Sequence, residues 1–332
     1  MNPATYDVVA IGNAIVDILA QAEDSFIAEI GVAKGSMQLI FSPEEADALY
    51  AKMGPGREVS GGSAANTAAG IAALGGRCAF VGQVADDELG RIFAHDLRAA
   101  GVHFEMPARP GQPTTARCLI FVTPDGQRTM NTFLGASQFL PESALDLDLI
   151  RSSAILYLEG YLWDPAEPRA AMRKAIEVAR SAGRRVAFTL SDVFCIARHG
   201  DDFRKMIADG LIDILFANEQ ELLALCEHES FEQAVEHMHG QVPLLVVTRS
   251  EKGAMALQGS ERVEVAAEPI EALIDTTGAG DMFAAGFLHG QAQGRSLQDS
   301  LRLGAICAAE IIQHYGARAE VDLKELAAAK LG

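Results

Sequence analysis

The chain has 332 residues, of which 49% are apolar, and it carries a formal net charge of -18 at pH 7. An apolar fraction of this size can bury a large core, which excludes a disordered or fibrous protein. The surplus of acids argues against sequence-independent binding to nucleic acid or to anionic lipid, because both reward Lys and Arg. We therefore expect neither a nucleic-acid partner nor a membrane partner.

The cysteines and the first residues indicate the compartment. Five cysteines are scattered along the chain without CxxC spacing, a pattern typical of reduced thiols. The start of the chain lacks a basic region ahead of its apolar stretch, and no segment reaches the roughly 18 apolar residues that span a bilayer. The sequence therefore predicts a cytoplasmic protein.

Apolar runs of strand length alternate with helical patterns along the chain. The strand-length runs are 7–12, 78–84, 154–160, 185–191, 213–218 and 244–250. Helical patterns follow several of them, including 64–76, 88–101 and 168–183. Near-continuous apolar strands that alternate with helices predict an α/β fold, a three-layer α/β/α sandwich around a mostly parallel sheet.

Residues 113–133 break this rhythm. Two β-rich arms flank a Pro-Asp-Gly sequence at 124–126, which predicts a hairpin rather than a crossover. An antiparallel piece inserted in a parallel fold suits a lid over a site. Because no linker or repeat divides the chain, we expect 1–332 to form a single domain with a small β lid built from discontinuous insertions, about 15–45 and 105–135.

Two polar motifs lie in the first quarter of the chain. In "GNAIVD", Asp17 follows the first strand, at the edge where open α/β sheets bind ligands. An acid there suits paired sugar hydroxyls, although a turn or cap role also fits. In "GGSAANTAAG", Gly61 and Gly62 allow a ligand to approach the backbone, and Asn66 offers a donor and an acceptor to a polyol. A tight turn capped by Ser63 is the alternative.

A third motif, "DTTGAGD" at 275–281, precedes an apolar helical pattern. Glycines at 278 and 280 allow a tight turn whose N-H groups converge, and the following helix start adds its positive dipole end, so the turn attracts an anion. Asp281 beside it is either a helix cap or a general base that takes a proton from an attacking hydroxyl. No GxxxxGK[ST] occurs, which excludes a P-loop.

These three motifs together with "NEQE" at 218–221 resemble the ribokinase-like (PfkB) family of carbohydrate kinases. Their order and spacing match over almost the whole chain. The resemblance implies a ribokinase-like kinase that uses ATP and Mg²⁺ to phosphorylate an alcohol group of a small sugar or nucleoside. It also implies K⁺ as a further candidate ion. The family contains monomers and dimers, so either a monomer or a homodimer is expected.

The resemblance implies a role for each matching residue. Asp281 matches the catalytic base, and the backbone amides of Gly278, Ala279 and Gly280 match the anion hole. The positions that hold the sugar hydroxyls are matched by Asn13, Asp17, Gly61, Gly62 and Asn66.

On the nucleotide side, Asn218 and Glu221 match the NxxE motif that helps to place Mg²⁺ and the phosphates. Asn followed by acids is also a good helix cap, so that alternative stays open. Thr248 and Gly253 match a nucleotide-side strand and turn. The monovalent cation site is matched by Asp275 and Thr277.

Within the family, the opening residues 12–40 are similar to those of adenosine kinases. Arg128 matches a lid arginine that reaches substrate-side phosphate, or else is a solvated hairpin residue. Tyr161 and Trp163 follow a strand end where adenosine kinases keep aromatics against the base, although a core position is the alternative. Thr277 stands where many adenosine kinases have Asn.

The sequence therefore predicts a kinase for which adenosine, converted to AMP, is the lead acceptor. A sugar kinase acting on ribose, fructose or 2-keto-3-deoxygluconate is the alternative. Two other classes are a non-catalytic nucleoside or sugar sensor and an NAD(P)-dependent oxidoreductase, but the first strand lacks the G-x-G-x-x-G of the latter.

Overall fold

Two β-sheets of different size organise the fold. In this computed structural model, which describes residues 4–331, the larger sheet has eight strands and the smaller has five. The strands, in chain order, are β1 (Tyr6–Ile11), β2 (Ile15–Gln21), β3 (Met37–Ile40), β4 (Arg57–Gly61), β5 (Cys78–Val81), β6 (Ala116–Val122), β7 (Arg128–Phe133), β8 (Ser153–Glu159), β9 (Arg185–Thr189), β10 (Ile214–Asn218), β11 (Leu244–Thr248), β12 (Ala254–Gln258) and β13 (Glu261–Val265).

Helices connect most of these strands. In chain order they are α1 (Asp24–Glu29), α2 (Pro43–Tyr50), α3 (Ser63–Ala73), α4 (Glu88–Ala99), α5 (Leu147–Arg151), α6 (Ala166–Ser181), α7 (Val193–Ala208), α8 (Glu219–Cys226), α9 (Phe231–Met238), α10 (Ala279–Ala292), α11 (Leu297–Ile311) and α12 (Leu323–Leu331). Within residues 4–331, none of them is long and apolar enough to cross a bilayer.

The larger sheet has the order β13-β12-β11-β10-β9-β8-β1-β5. Its six strands from β11 to β5 run parallel, and β12 and β13 are antiparallel at one edge. Alternate residues of β1 face opposite layers: Val9 packs in a cluster with Met172 of α6, whereas Val8 packs in a second cluster with Ala285 of α10. Helices therefore cover both faces, and the predicted three-layer α/β/α fold with a mostly parallel sheet is confirmed.

The strands predicted from apolar runs are all present in this sheet, with ends within three residues of the predicted ones. Burial on both faces explains why these strands read as continuous apolar segments. The edge strand β13, with the sequence "ERVEV", was not predicted, because its residues alternate between exposed and half-buried positions. A charged edge strand carries no apolar run to detect.

The smaller sheet has the order β3-β7-β6-β2-β4. Its β6 and β7 form the predicted hairpin, with Val122 opposite Arg128. The sheet lies beside the "DTTGAGD" turn, since Arg128 pairs with Asp275 and the backbone of Gly126 lies near the carbonyl of Ile274. The smaller sheet therefore brings Arg128 beside the turn that precedes α10. Its movement as a lid within a single domain stays a prediction.

Candidate active site

Asp281 lies in the first turn of α10, where the helix meets the start of α3. The N-cap of α10 is Gly278, not Asp281, so a helix-cap role for Asp281 is wrong. Its carboxylate instead accepts hydrogen bonds from Ser63 Oγ at 2.6 Å and from Asn66 Nδ2 at 2.9 Å. Two side chains of α3 therefore fix the orientation of this acid.

The surroundings of Asp281 increase the affinity of its carboxylate for a proton. Burial raises the pKa of Asp281, while the hydrogen bonds from Ser63 and Asn66 and the positive charge of Arg318 oppose the rise. A carboxylate with a raised pKa is a better proton acceptor than one at its ordinary value. The group therefore has both the orientation and the basicity that proton abstraction needs.

The glycine turn ahead of α10 presents backbone donors. Gly278 has φ 78°, and a Cβ there would lie 2.7 Å from Ala317 Cβ, so only glycine fits. Ala279 N donates to Thr276 O at 3.2 Å, whereas the described chain provides no acceptor for the amides of Gly278, Gly280 and Asp281. Free amides at a helix start bind anions. The predicted anion hole consists of the amides of Gly278, Ala279 and Gly280, so the free donors differ from it by having Asp281 in place of Ala279.

Asp17 of β2 lies against Gly61, which ends β4, and Asn13 lies against Gly62, which precedes α3. A Cβ on Gly61 would collide with the Asp17 carboxylate, and one on Gly62, which has φ 94°, would collide with the carbonyl of Asn13. Both positions therefore require glycine. Burial raises the pKa of Asp17 to about 7, although the charges of Arg318 and Arg128 oppose the rise.

Glu159, at the end of β8, is a site residue that the sequence analysis missed. It is fully buried. Its Oε1 accepts from Asn13 N and from Asn13 Nδ2, both at 2.7 Å, and its Oε2 accepts from Ala64 N at 2.7 Å. Burial raises the pKa of Glu159 to about 7 against the effect of these donors. The acid ties the end of β1 to α3 and orients Asn13. The sequence feature that could have identified Glu159 is an acid at the end of the apolar run "AILYLE".

Arg318 is a second residue that was missed. Its guanidinium donates to Asn66 Oδ1 and, at 3.0 Å, to Ser60 Oγ. Burial lowers the pKa of Arg318 to about 10, although Asp17 and Asp281 oppose the fall. Asn66 lies 252 residues earlier in the chain, so no sequence spacing indicates the contact.

Asn218 and Glu221, which the sequence matches to a nucleotide-side motif, form a capping box at the start of α8. Glu221 N donates to Asn218 Oδ1 at 2.8 Å, and Asn218 N donates to Glu221 Oε2 at 3.0 Å. The helix-cap alternative is therefore present in the structure. Burial raises the pKa of Glu221 to about 7. Thr248 lies beside Asn218 in the sheet register, and Gly253, with φ 88°, ends the turn before β12.

Arg128 reaches from β7 to the "DTTGAGD" turn. It is 8% exposed and forms an ion pair with Asp275, so its interpretation as a solvated hairpin residue is wrong. The Asp275 carboxylate also accepts from Thr277 N at 3.0 Å and from Gly316 N at 2.9 Å. The guanidinium thus lies next to the residues matched to the monovalent cation site.

The two aromatic residues after β8 have different surroundings. Tyr161 is half-buried, and its hydroxyl donates to Ser191 O at 3.1 Å. Trp163 is fully buried in the core, edge-to-face with Phe188 and Phe203. Packing of Trp163 against a substrate base is therefore wrong, because the resemblance places aromatic residues after the strand end but does not show which of them faces the core.

Comparison with known proteins decides the family. The sequence matches the profile of the pfkB family carbohydrate kinases over residues 27–324. This chain belongs to the PfkB family. A PfkB member is a phosphotransferase that acts on an alcohol group of a small sugar or nucleoside, so the resemblance noted from the sequence is confirmed and the oxidoreductase alternative is set aside.

Individual PfkB relatives are similar over nearly the whole chain. The structure of adenosine kinase from Sinorhizobium meliloti is 50% identical, with a TM-score of 0.93 and coverage of 99% of this chain and 100% of that one. The structure of a probable sugar kinase protein from Rhizobium etli is 45% identical, with a TM-score of 0.93 and coverage of 99% and 98%. Probable fructokinase-4 of Arabidopsis thaliana is 30% identical over 86% of this chain and 91% of its own length.

Proposed function

We propose that this PfkB kinase transfers the γ-phosphoryl group of ATP to a primary hydroxyl of a ribosyl unit, with adenosine as the acceptor and AMP as the product. The observation that carries the kinase chemistry is the Asp281 carboxylate, held by Ser63 and Asn66 beside free backbone amides. The acceptor is supported by 50% identity to a protein described as an adenosine kinase.

Binding of the acceptor falls to the polar groups between the two sheets. The Asp17 carboxylate accepts hydrogen bonds from paired ribose hydroxyls, and the missing side chains of Gly61 and Gly62 leave room for this carboxylate and for the carbonyl of Asn13. Asn66, which is matched to the same sugar-binding positions, donates a hydrogen bond to Asp281. The acceptor oxygen is therefore held within reach of the base, which supplies much of the advantage of a bound over a free reactant.

In the transfer step, Asp281 takes the proton of the acceptor hydroxyl. The oxygen forms a bond to the γ-phosphorus while the bond from that phosphorus to the β–γ bridging oxygen breaks, so ADP leaves with the electron pair. The amides of Gly278, Gly280 and Asp281 donate to the charged oxygens of the moving phosphoryl group. Arg128 of β7, which pairs with Asp275 beside this turn, adds positive charge, and the small sheet closes over the acceptor against water.

The residues proposed for Mg²⁺ fit a hard cation. Glu221 and Asn218 offer oxygen donors at the nucleotide side, the ligand type that Mg²⁺ takes directly or through water. When bound, Mg²⁺ neutralises charge on the phosphates. We also propose Asp275 and Thr277 for K⁺. Since Arg128 already pairs with Asp275, its guanidinium competes with K⁺ for this carboxylate.

An acceptor panel tests this function. ADP formation is measured with ATP and Mg²⁺, with and without K⁺, against adenosine, other nucleosides, ribose, fructose and 2-keto-3-deoxygluconate. We expect adenosine to give the highest kcat/KM. A higher value for fructose would contradict the nucleoside assignment and favour the activity named for the relative from Arabidopsis thaliana. Failure of every acceptor would favour a non-catalytic sensor.

The pH dependence of the reaction follows from two acids with raised pKa. Asp281 must be ionised to accept a proton, and Asp17, whose pKa burial raises to about 7, must be ionised to accept from sugar hydroxyls. We therefore expect kcat/KM to be full above neutral pH and to be lost as pH falls through these raised values. A profile that stays flat from about pH 8 to about pH 5 would contradict this expectation.

A further inference from the structure

Arg318 reaches the site from a segment outside every motif. Its guanidinium donates to Asn66 Oδ1 and to Ser60 Oγ. The same Asn66 amide donates from Nδ2 to Asp281 Oδ2 at 2.9 Å. A continuous hydrogen-bonded path therefore joins Arg318 to the carboxylate that takes the proton in the proposed mechanism.

This path fixes the direction of the Asn66 amide. An amide has a donating nitrogen and an accepting oxygen of similar size. A turn by half a rotation would place the nitrogen against the donors of Arg318 and the oxygen against the carboxylate of Asp281, and both contacts are repulsive. Asn66 is 4% exposed, so water does not replace either partner easily. Arg318 thus holds Asn66 in the state that supports the base.

The segment that carries Arg318 also supports the anion-binding turn. The carbonyl of Ile312 accepts from the amides of Ile274 and Asp275 at 2.8 and 3.2 Å, and Gly316 N donates to Asp275 Oδ2 at 2.9 Å. One short segment, 312–318, therefore contacts the turn through its backbone and the base through Asn66. The segment 312–318 therefore supports both the anion-binding turn and the proposed base.

We propose that Arg318 is a positioning residue for phosphoryl transfer, which acts through Asn66 to orient the Asp281 carboxylate towards the acceptor hydroxyl. The inference rests on the proposed function. It adds a residue that touches neither the acceptor nor the phosphates in the mechanism above.

The charge of Arg318 adds a second, separable effect. It is the positive group facing Asp281, and the other titratable groups whose charge interacts with that acid are Asp17, Tyr157, Glu159 and Tyr161. Removal of Arg318 leaves Asp281 among acids without this counter-charge. Asp281 then holds its proton more tightly, so the acid limb of the pH profile moves upwards.

The first experiment compares Arg318→Met with wild type and with Arg185→Met. Arg185 is a matched control, because it is also a partly buried arginine whose pKa is lowered by burial, and it bonds Gln291 away from the site. We expect Arg318→Met to lower kcat about 10- to 100-fold, with each KM changed less than about threefold. Its acid limb moves to higher pH, and Arg185→Met keeps wild-type kinetics.

The second experiment is a double-mutant cycle with Asn66→Ala. The cycle is measured at a pH above the acid limb of every variant, where the charge effect on Asp281 no longer changes kcat. If Arg318 acts through Asn66, the double variant there has the kcat of Asn66→Ala alone, whereas a general structural role gives losses that multiply. Multiplying losses, or a wild-type kcat in Arg318→Met, would overturn the inference.

Arg318→Lys keeps the charge but loses the fork of donors. We expect a lower kcat with an acid limb in its wild-type place, and this variant enters the cycle if Arg318→Met does not fold. A wild-type enzyme that phosphorylates no acceptor refutes the proposed function, whereas an active wild type with an equally active Arg318→Met refutes this inference alone.

Discussion

Replacement of Asp281 by Asn is expected to lower kcat about 10²- to 10⁴-fold, the range that loss of a general base produces. The substituted side chain has nearly the same shape. Its amide oxygen still accepts from Asn66 Nδ2, and its amide nitrogen donates to Ser63 Oγ, because a hydroxyl can also accept. Folding and substrate binding are therefore retained while proton acceptance is lost. Steady-state kinetics with ATP and adenosine, beside a thermal melt, measure both.

Asp299→Asn is a matched control for this change. Asp299 also lies in the first turn of a helix and accepts a hydrogen bond from a serine, Ser296 Oγ, at 2.8 Å. Asp299 lies in α11 and has no part in the proposed mechanism. The kcat of Asp299→Asn is therefore expected to match that of the wild type. Comparable turnover by Asp281→Asn and Asp299→Asn would refute the assignment of the base.

The second large effect is expected for Gly278→Ala. The added Cβ would lie 2.7 Å from Ala317 Cβ at a residue with φ 78°, so the turn must shift and carry the amides of Gly280 and Asp281 with it. Loss of one such donor to a developing charge lowers kcat about 10²- to 10³-fold. We expect that loss in kcat, measured at saturating ATP and acceptor.

Gly294→Ala separates backbone strain from loss of the anion-binding turn. Gly294 follows the same helix, α10, and has φ 70°, and a Cβ added there would meet no atom within 4 Å. Both variants lose about 1–2 kcal/mol of stability from the left-handed backbone, but Gly294→Ala keeps its kcat. Equal kcat values in the two variants would show that the turn does not act on the phosphoryl group.

The sequence predicted those parts of the fold whose physical cause is local. The six parallel strands are buried on both faces, so each reads as an apolar run, and the 124–126 turn has hairpin chemistry of its own. Strands β2 and β4 were not predicted, because Asp17 interrupts the apolar run of β2 and the sequence of β4, "REVSG", contains no apolar run. Strand β13 lacks an apolar run because it lies at an edge.

In the candidate site, too, the sequence predicted the residues whose role has a local cause and missed the others. Glycine turns are visible in sequence, since a positive φ or a close approach requires a specific residue, and Gly62 and Gly278 both have positive φ. Glu159 and Arg318 are single residues whose partners lie far away along the chain. Only the folded backbone brings them to Asn13 and Asn66, so their part in the site required the structure.

The most direct test of the central claim is a product measurement with adenosine and 5′-deoxyadenosine. The two acceptors differ in the one hydroxyl from which Asp281 is proposed to take the proton. Purified protein is incubated with ATP and Mg²⁺, and the products are identified by mass. We predict AMP and ADP in equal amounts from adenosine, and no phosphorylated product from 5′-deoxyadenosine. No AMP from adenosine, or phosphorylation of both acceptors, would contradict the assignment.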